Sequence, residues 1–338
     1  MKVLGLDVGG AYVKWAVVDY SQGRIRRQKS GRIYFPFWKN PCGLSAVMAQ
    51  VQVPADIEGV GVTTTADASD AYPTKKEAVN SVLDAVSKAC RLKPLFVLTT
   101  KPELITVPQA KKRTLEVASA NWAATAWLLS RSVSEGLMVD VGSTTTDIIP
   151  IKGGKPVPRG KTDFGRLKSN ELLYVGALRT NVCGITNTLN SGGNEFIIPS
   201  EYFACVADVH RVLGNISESE YSCETPDGRW KDMNSCLARI ARVLLSEAHS
   251  LPQRELKRLC ASIHEKQVAL IADSMRKVLR RESMQASPVY GTGVGSFLIE
   301  EAADKLRLPY RNLESYFGVA QGEATCIGLA CMVAEKLK

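Results

Sequence analysis

Two short segments of this chain place the same residue types in the same order. Leu4-Gly5-Leu6-Asp7-Val8-Gly9-Gly10 and Leu137-Met138-Val139-Asp140-Val141-Gly142-Ser143 each end an apolar run on an aspartate, turn at glycine and enter a second β-rich run, Tyr12–Asp19 and Thr144–Ile151. Glycine has no Cβ, so an anion can approach the backbone of such a turn. The aspartate beside it can hold a divalent cation or orient water, as a hard oxygen ligand does. Two facing copies would form a clamp for a polyphosphate. The plainer reading of each residue stands beside that one: the glycines can serve hairpin geometry alone, and Asp7 and Asp140 can satisfy turn amides. Lys14 is one of 43 basic residues, with the spacing of an exposed strand lysine.

The elements that must carry these turns follow from hydrophobic spacing and turn residues. Strands are expected at Val3–Val8, Val13–Tyr20, Ile25–Tyr34, Ile57–Thr63 and Leu95–Thr99, with a short helix at Leu44–Val51. Thr74 is positioned to cap a helix over Lys75–Cys90, with Glu77 completing a capping box. A helix rich in Ala, Trp and Leu is expected over Ser119–Ser130. The pattern then restarts with strands Gly136–Val141 and Thr145–Ile151 and a Gly/Pro/Lys-rich loop, Gly153–Lys161. Helical spacing covers Tyr202–Leu213, Asn234–His249 and Glu255–Leu279. A strand Val289–Gly293, a helix Ser296–Leu306, a strand Leu313–Phe317 and a helix Glu323–Leu337 complete the reading. Repetition of a β-β-β-α-β-α-β-α unit indicates duplication, with ligands expected in a crevice at the strand ends. The first lobe is expected at residues 1–130 and the second at 131–338. The second lobe carries a helical insertion at about 200–286, and the last helix is free to return to the first lobe.

Composition narrows the class. The 338 residues are 45% hydrophobic and 23% charged, ordinary for a globular protein. No apolar run is long enough to span a bilayer, and the N-terminus enters a strand pattern at once, which predicts no signal peptide and a cytoplasmic protein. Nine dispersed cysteines with no CxxC pair read as reduced thiols, not as a zinc site. The net charge of +9 is not organised for nucleic acid: the densest stretch, Arg24–Arg32, has the alternation of an exposed strand. His210, His249 and His264 have no cysteine partners at metal spacing and read as structural or exposed.

Asp7-Val8-Gly9-Gly10, Asp140-Val141-Gly142-Ser143-Thr144-Thr145-Thr146-Asp147 and Gly291-Thr292-Gly293-Val294-Gly295 resemble the phosphate and nucleoside loops of the actin-like ATPase superfamily. The run Asp140–Asp147 looks most like its hydantoinase/oxoprolinase group. A longer ordered set covers nearly the whole chain: Thr63–Asp70, Lys75-Lys76-Glu77, Ala118-Ser119-Ala120-Asn121-Trp122, Tyr174–Thr180, Ala207-Asp208-Val209 and Thr225–Arg229. It resembles the family of tetrahydromethanopterin-linked C1-transfer pathway proteins, whose archaeal members include the condensing enzyme of methanofuran biosynthesis. The resemblance implies a duplicated ribonuclease-H-like (actin-like ATPase) α/β fold with two lobes around a central cleft. It also implies a transferase that joins an (aminomethyl)furanylmethyl diphosphate to gamma-glutamyltyramine and releases pyrophosphate. Two departures are visible. Gly10-Ala11-Tyr12-Val13-Lys14 stands where the family has Gly-Ala-Asn-Thr-Lys, and Asp67 stands where a glutamate is expected.

For that chemistry the residues divide as follows. Gly9, Gly10, Gly142, Ser143, Thr144, Thr145, Gly291 and Gly293 would line the diphosphate, with Lys14 as a cation and Asp7 and Asp140 as holders of Mg²⁺. Asp67, Asp147 and Asp163 are the general-base candidates, in that order. Asn121 and Arg179 fall in family motifs, and Trp122 is a ring on which furan or phenol would stack. Arg229 reads equally as a surface ion pair. An ATP-dependent kinase or hydantoinase/oxoprolinase-like hydrolase would use the same loops for ATP, and a nucleotide-binding regulator without catalysis would use the same fold. The partners expected are small molecules, with no nucleic acid and no membrane; a homodimer is compatible with the sequence.

Overall fold

The computed structural model describes residues 1–51, 53–319 and 322–338. Contacts divide the chain into two compact units, residues 1–136, 149–169 and 313–338 in the first and 137–148 and 170–312 in the second. The sequence reading places a single cut at 130/131. The first unit is discontinuous: the C-terminal helix packs into it, the return that the sequence reading left open, and so does a segment that starts within the second strand of the second hairpin, which that reading did not include.

The first unit is built on a six-stranded sheet. Its strands are β1 (Lys2–Val8), β2 (Tyr12–Ser21), β3 (Arg24–Tyr34), β4 (Gly59–Thr64), β5 (Leu95–Leu98) and β6 (Leu104–Thr106), in the order β3-β2-β1-β4-β5-β6. Strands β1, β2 and β3 are antiparallel neighbours, and β4 runs parallel to β1. Every residue of β4 is buried, as expected of a strand covered on both faces. Helices α1 (Leu44–Gln50), α2 (Lys75–Ala89), α3 (Val107–Lys112), α4 (Thr114–Val117) and α5 (Asn121–Ser130) follow the strands. Thr74 caps α2, accepting from the Glu77 N–H at 3.2 Å.

The second sheet has the order β10-β8-β7-β13-β14, from β7 (Glu135–Val141), β8 (Thr146–Lys152), β10 (Leu172–Leu173), β13 (Val289–Thr292) and β14 (Tyr310–Asn312), with β9 (Lys155–Pro156) paired to β8. β13 is parallel to β7, as β4 is to β1. Both sheets therefore place the first strand of a hairpin centrally, flanked by its hairpin partner and by a later parallel strand. That is the duplicated ribonuclease-H-like fold.

The remaining elements are α6 (Asp163–Lys168), the hairpin β11 (Thr188–Ser191) and β12 (Asn194–Ile197), α7 (Val206–Leu213), α8 (Met233–Arg242), α9 (Gln253–Glu282), α10 (Ser296–Lys305), α11 (Leu313–Phe317) and α12 (Ala324–Lys336). The β11–β12 hairpin, turning at Gly192-Gly193 with positive φ at both, is absent from the sequence reading. The segment Leu313–Phe317, expected as a strand, is helical. Leu313, Tyr316 and Phe317 recur at helical spacing once β14 has ended at Asn312. The helix expected to reach His249 stops at Arg242, and Leu245 adopts φ +53°, a left-handed conformation that no α-helix continues through.

Helix α12 is buried on nearly every face, the mark of a core helix. It lies on β1 and β4 because Gly5 lets it approach: a Cβ there would stand 2.0 Å from the Cys326 carbonyl oxygen. The chain's C-terminal helix thus belongs to the first unit, and its N-terminal end lies beside the strand end that carries Asp7. In the second unit, α7, α9 and α10 bury Val209, Ile263, Ile271, Leu298 and Ile299 in one continuous core with β7 and β13.

Candidate phosphate-binding site

In the first unit the turn after β1 is closed by a bond from the Gly9 N–H to the Tyr12 carbonyl at 2.8 Å. The Thr65 N–H donates to the Val8 carbonyl at 3.0 Å, and the Phe37 N–H to the Gly10 carbonyl at 2.8 Å. In the second unit the Gly142 N–H donates to the Thr145 carbonyl at 2.9 Å. There the Gly295 N–H donates to the Val141 carbonyl at 2.9 Å, and the Arg179 N–H to the Ser143 carbonyl at 2.8 Å. The three acceptors fall at corresponding positions of the two turns, and the first bond corresponds at both ends; the donors of the other two are displaced by one and two residues. The duplication extends to the hydrogen bonding of the turn, and one interval separates Asp7 from Asp140 and Lys14 from Asp147.

Around the first turn, Asp7 on β1 pairs in register with Lys14 on β2 and with Thr63 on β4. Asp7 is buried, and its Oδ1 has no hydrogen-bond partner among the described residues. Burial lifts its carboxyl above the ordinary carboxylate range, and the Lys14 ammonium draws it back. The Thr63 hydroxyl, fully buried, also has no partner among the described residues. Leaving such groups unpaired costs about 1–3 kcal/mol each. Buried polar atoms of this kind beside a glycine turn are what a ligand or hydrated cation would satisfy.

Around the second turn, Asp140 pairs in register with Thr292 of β13. Gly293 follows at φ +92°, and a Cβ there would meet Asp140 Oδ1 at 2.5 Å, so only glycine fits. Gly291 lies within β13. Ser143, Thr144 and Thr145 form the turn, which rests on the segment 175–180; a Cβ at Gly176 would stand 2.4 Å from the Thr144 nitrogen. The Gln267 amide of α9 donates to the Gly176 carbonyl at 2.9 Å, and its Oε1 lies 3.0 Å from Nε2 of the buried His210. Burial, reinforced by His264, drives the His210 pKa down to about 3, so the ring is neutral. Arg179 is exposed beside this turn. Asp147 is buried on β8, opposite Leu172.

Among the described residues no three His, Cys, Asp or Glu side chains gather as a metal cage. A cation here would be held through water by a single carboxylate, with substrate oxygens as further ligands. That pattern suits Mg²⁺, which keeps several of its waters.

The remaining expected residues form a separate cluster in the first unit. Asp67 accepts from the Ser119 N–H at 3.0 Å and hydroxyl at 2.9 Å, and from Lys75 Nζ at 3.1 Å. Lys75 also bonds Asp163 at 2.5 Å, and Asp163 takes Arg166 at 3.0 Å. The Arg166 guanidinium lies 5.0 Å from the centroid of the Trp122 ring. Asp67, expected first as a general base, spends both oxygens on holding Ser119, whose φ of +51° starts α5 two residues later than the sequence predicts. Burial opposes ionisation of Asp163, but the bonds from Lys75 and Arg166 outweigh it and hold the carboxyl below its ordinary value. A carboxylate so stabilised is a weak base. Trp122 is fully buried, which corrects its reading as a stacking platform: it is a core ring with a cation on it. Asn121 opens α5, half-buried.

Two further family motifs converge in the second unit. Asp208 and Asp227 both bind Arg239, at 2.7 and 3.0 Å, and Arg239 is fully buried. Arg229 is an exposed residue 4.0 Å from Asp227, as its plainer reading had it. Arg239 and Gln267 lie outside every quoted motif, and Lys75 and Ser119 lie inside motifs that assign them no role; each acts through a partner far along the chain.

Comparison with known proteins bears on the same segments. The model of the hydantoinase/oxoprolinase family matches residues 58–335. A (4-{4-[2-(gamma-L-glutamylamino)ethyl]phenoxymethyl}furan-2-yl)methanamine synthase of Methanocaldococcus jannaschii is 36% identical over 307 residues, 90% of each chain. A protein of the same name from Methanococcus vannielii is 38% identical over 170 residues, 50% of this chain and 75% of that one. Among solved structures, nucleotide-free acetone carboxylase superposes with a TM-score of 0.53 at 12% identity, over 91% of this chain and 68% of that one, a likeness of fold. The chain belongs to the hydantoinase/oxoprolinase family and, within it, to the family of these furanylmethanamine synthases.

Proposed function

We propose that this chain forms the aryl ether of methanofuran biosynthesis, condensing an (aminomethyl)furanylmethyl diphosphate with gamma-glutamyltyramine and releasing pyrophosphate. The observation that carries the reading is 36% identity, over 90% of both chains, to a synthase whose name describes the phenoxymethyl-furan product. In the reaction the bond from the furan methylene to the diphosphate oxygen breaks, and the electron pair leaves with pyrophosphate. The furan ring stabilises the positive charge on the methylene carbon. A lone pair of the phenol oxygen forms the new C–O bond, and the phenolic proton passes to the departing pyrophosphate, itself a base. A phenol has an ordinary pKa of about 10, and attack on a cationic carbon does not require its prior ionisation.

The residues support such chemistry at the leaving group. Lys14 places an ammonium opposite Asp7 beside the Gly9-Gly10 turn. The Gly142–Thr145 turn of the second unit is held by Gly176 and Gln267, so its backbone is fixed in advance of binding. Preorganised groups of this sort, aimed at developing negative charge, supply the largest single contribution in many active sites. Mg²⁺, held through water by Asp7 or by Asp140, would neutralise diphosphate charge. The same reading carries with it a cytoplasmic enzyme with two small-molecule substrates; among the described residues no helix is long and apolar enough to cross a membrane.

The test is pyrophosphate release from the furanylmethyl diphosphate, with the ether product followed by mass spectrometry. Release that depends on the phenolic amine is expected. ATP consumption without ether formation would replace this reading by the kinase or hydrolase one.

A further inference from the structure

The Asp7–Thr63 pair is the feature that the Gly turns leave unexplained. The two residues are register partners on parallel strands, so their side chains leave the same face of the sheet about 4.8 Å apart. Asp7 Oδ1 and Thr63 Oγ1 are both buried and, among the described residues, neither has a hydrogen-bond partner. Nor do they bond each other, although one is an acceptor and the other can donate. Val60 and Val62 precede Thr63 on β4, and a third valine would fill the same volume without a buried hydroxyl. The arrangement recurs: Asp140 and Thr292 are register partners on β7 and β13, at the same place relative to the second turn. An aspartate with a threonine across from it is thus part of the duplicated unit, on the same footing as the glycine.

We propose that Asp7 and Thr63 share one bound water, and that Thr63 through this water fixes the direction in which the Asp7 carboxylate faces the cation and diphosphate. A water needs two to four polar partners, and these two atoms supply a strong acceptor and a group that both donates and accepts. A bridge of this kind is nearly as favourable as a direct hydrogen bond. Thr63 is then a positioning residue. The second half of the proposal rests on the diphosphate reading above; the shared water does not.

Two measurements test it. A crystal structure of the wild-type protein, at a resolution that shows ordered solvent, is expected to contain one water bonded to both Asp7 Oδ1 and Thr63 Oγ1. Its absence overturns the proposal. Thr63→Val and Thr63→Ser are then compared with wild type by thermal shift during titration of Mg²⁺ in the presence of inorganic pyrophosphate. Thr63→Val, which loses its bond to the shared water, should melt slightly lower than wild type without ligand and require about tenfold more Mg²⁺ for half-saturation. Thr63→Ser, which keeps the hydroxyl, should stay within about twofold of wild type. A Thr63→Val protein with wild-type Mg²⁺ response, or a Thr63→Ser protein as impaired as Thr63→Val, overturns the positioning role. A wild-type protein that holds the water but gives no response to Mg²⁺ and pyrophosphate refutes the diphosphate reading instead, and leaves the shared water standing.

Discussion

Replacing Arg239 by methionine isolates the buried network under the helical part of the second unit. Asp208 has no side-chain exposure and accepts from five donors: the Cys205 N–H at 3.1 Å and thiol at 3.6 Å, the Tyr221 hydroxyl at 3.0 Å, Arg239 Nε at 2.8 Å and Arg239 Nη2 at 2.7 Å. Arg239→Met removes two of the five and the cation that pairs with Asp208. Breaking a buried pair from one side costs about 3–5 kcal/mol. Because Cys205 and Tyr221 still bond the carboxylate, and because Asp227 at the other end of the guanidinium is partly exposed and can turn to water, the low end applies, about 3 kcal/mol. For a unit of this size each kcal/mol moves the melting temperature by about 2–4 °C, so a drop of about 6–12 °C is expected by circular dichroism. The double variant Asp208→Asn, Arg239→Met should recover most of the loss, since no buried charge remains. A single variant that melts within about 2 °C of wild type, the scatter expected of a neutral surface change, would refute this account of what Ala207-Asp208-Val209 and Thr225–Arg229 are for.

Three further outcomes follow from the geometry. Lys14→Ala should weaken pyrophosphate binding by about tenfold at low salt, with a smaller difference in 0.5 M salt, measured by calorimetry. Asp140→Ala should lose ether formation while melting within about 2 °C of wild type, which activity assays and thermal scans read separately. His210 stays neutral in the folded protein down to about pH 3, whereas an unfolded histidine binds a proton near pH 6.5, so stability is full above pH 6.5 and falls with added acid by up to about 1.4 kcal/mol per pH unit; His210→Asn should flatten that slope in denaturant titrations.

The sequence made the hairpins legible because their signal is local: an apolar strand, an aspartate and a glycine turn within a few residues. The Thr74 cap is legible for the same reason. The Asp67, Lys75, Asp163 and Arg166 ladder is not, since Lys75 and Asp163 are brought together only by the path of the chain out of β8 and back into the first unit. Asp67 and Lys75 fall inside quoted motifs and Asp163 and Arg166 do not, and a motif names residues and not their partners. Trp122 shows the limit from the other side. A tryptophan on an alanine-rich helix suits either a core or a ring platform, and burial against Arg166 decides between them. Leu313–Phe317 is apolar enough for a strand, and five residues are too few for periodicity to separate the two periods.

The duplication separates what the fold requires from what the chemistry has changed. Both turns keep the same closing bond at glycine, the same backbone acceptors, the same aspartate and a threonine across from it. What differs is the residue on the returning strand, Lys14 in the first hairpin and Asp147 in the second. The first turn therefore offers an anion a carboxylate offset by an ammonium, while the second brings two carboxylates to adjacent strands. A cation beside the second turn, from a side chain or from Mg²⁺, would favour the approach of an anion there. Any metal dependence of the reaction should accordingly be felt most through Asp140, and any metal-independent affinity for pyrophosphate through Lys14.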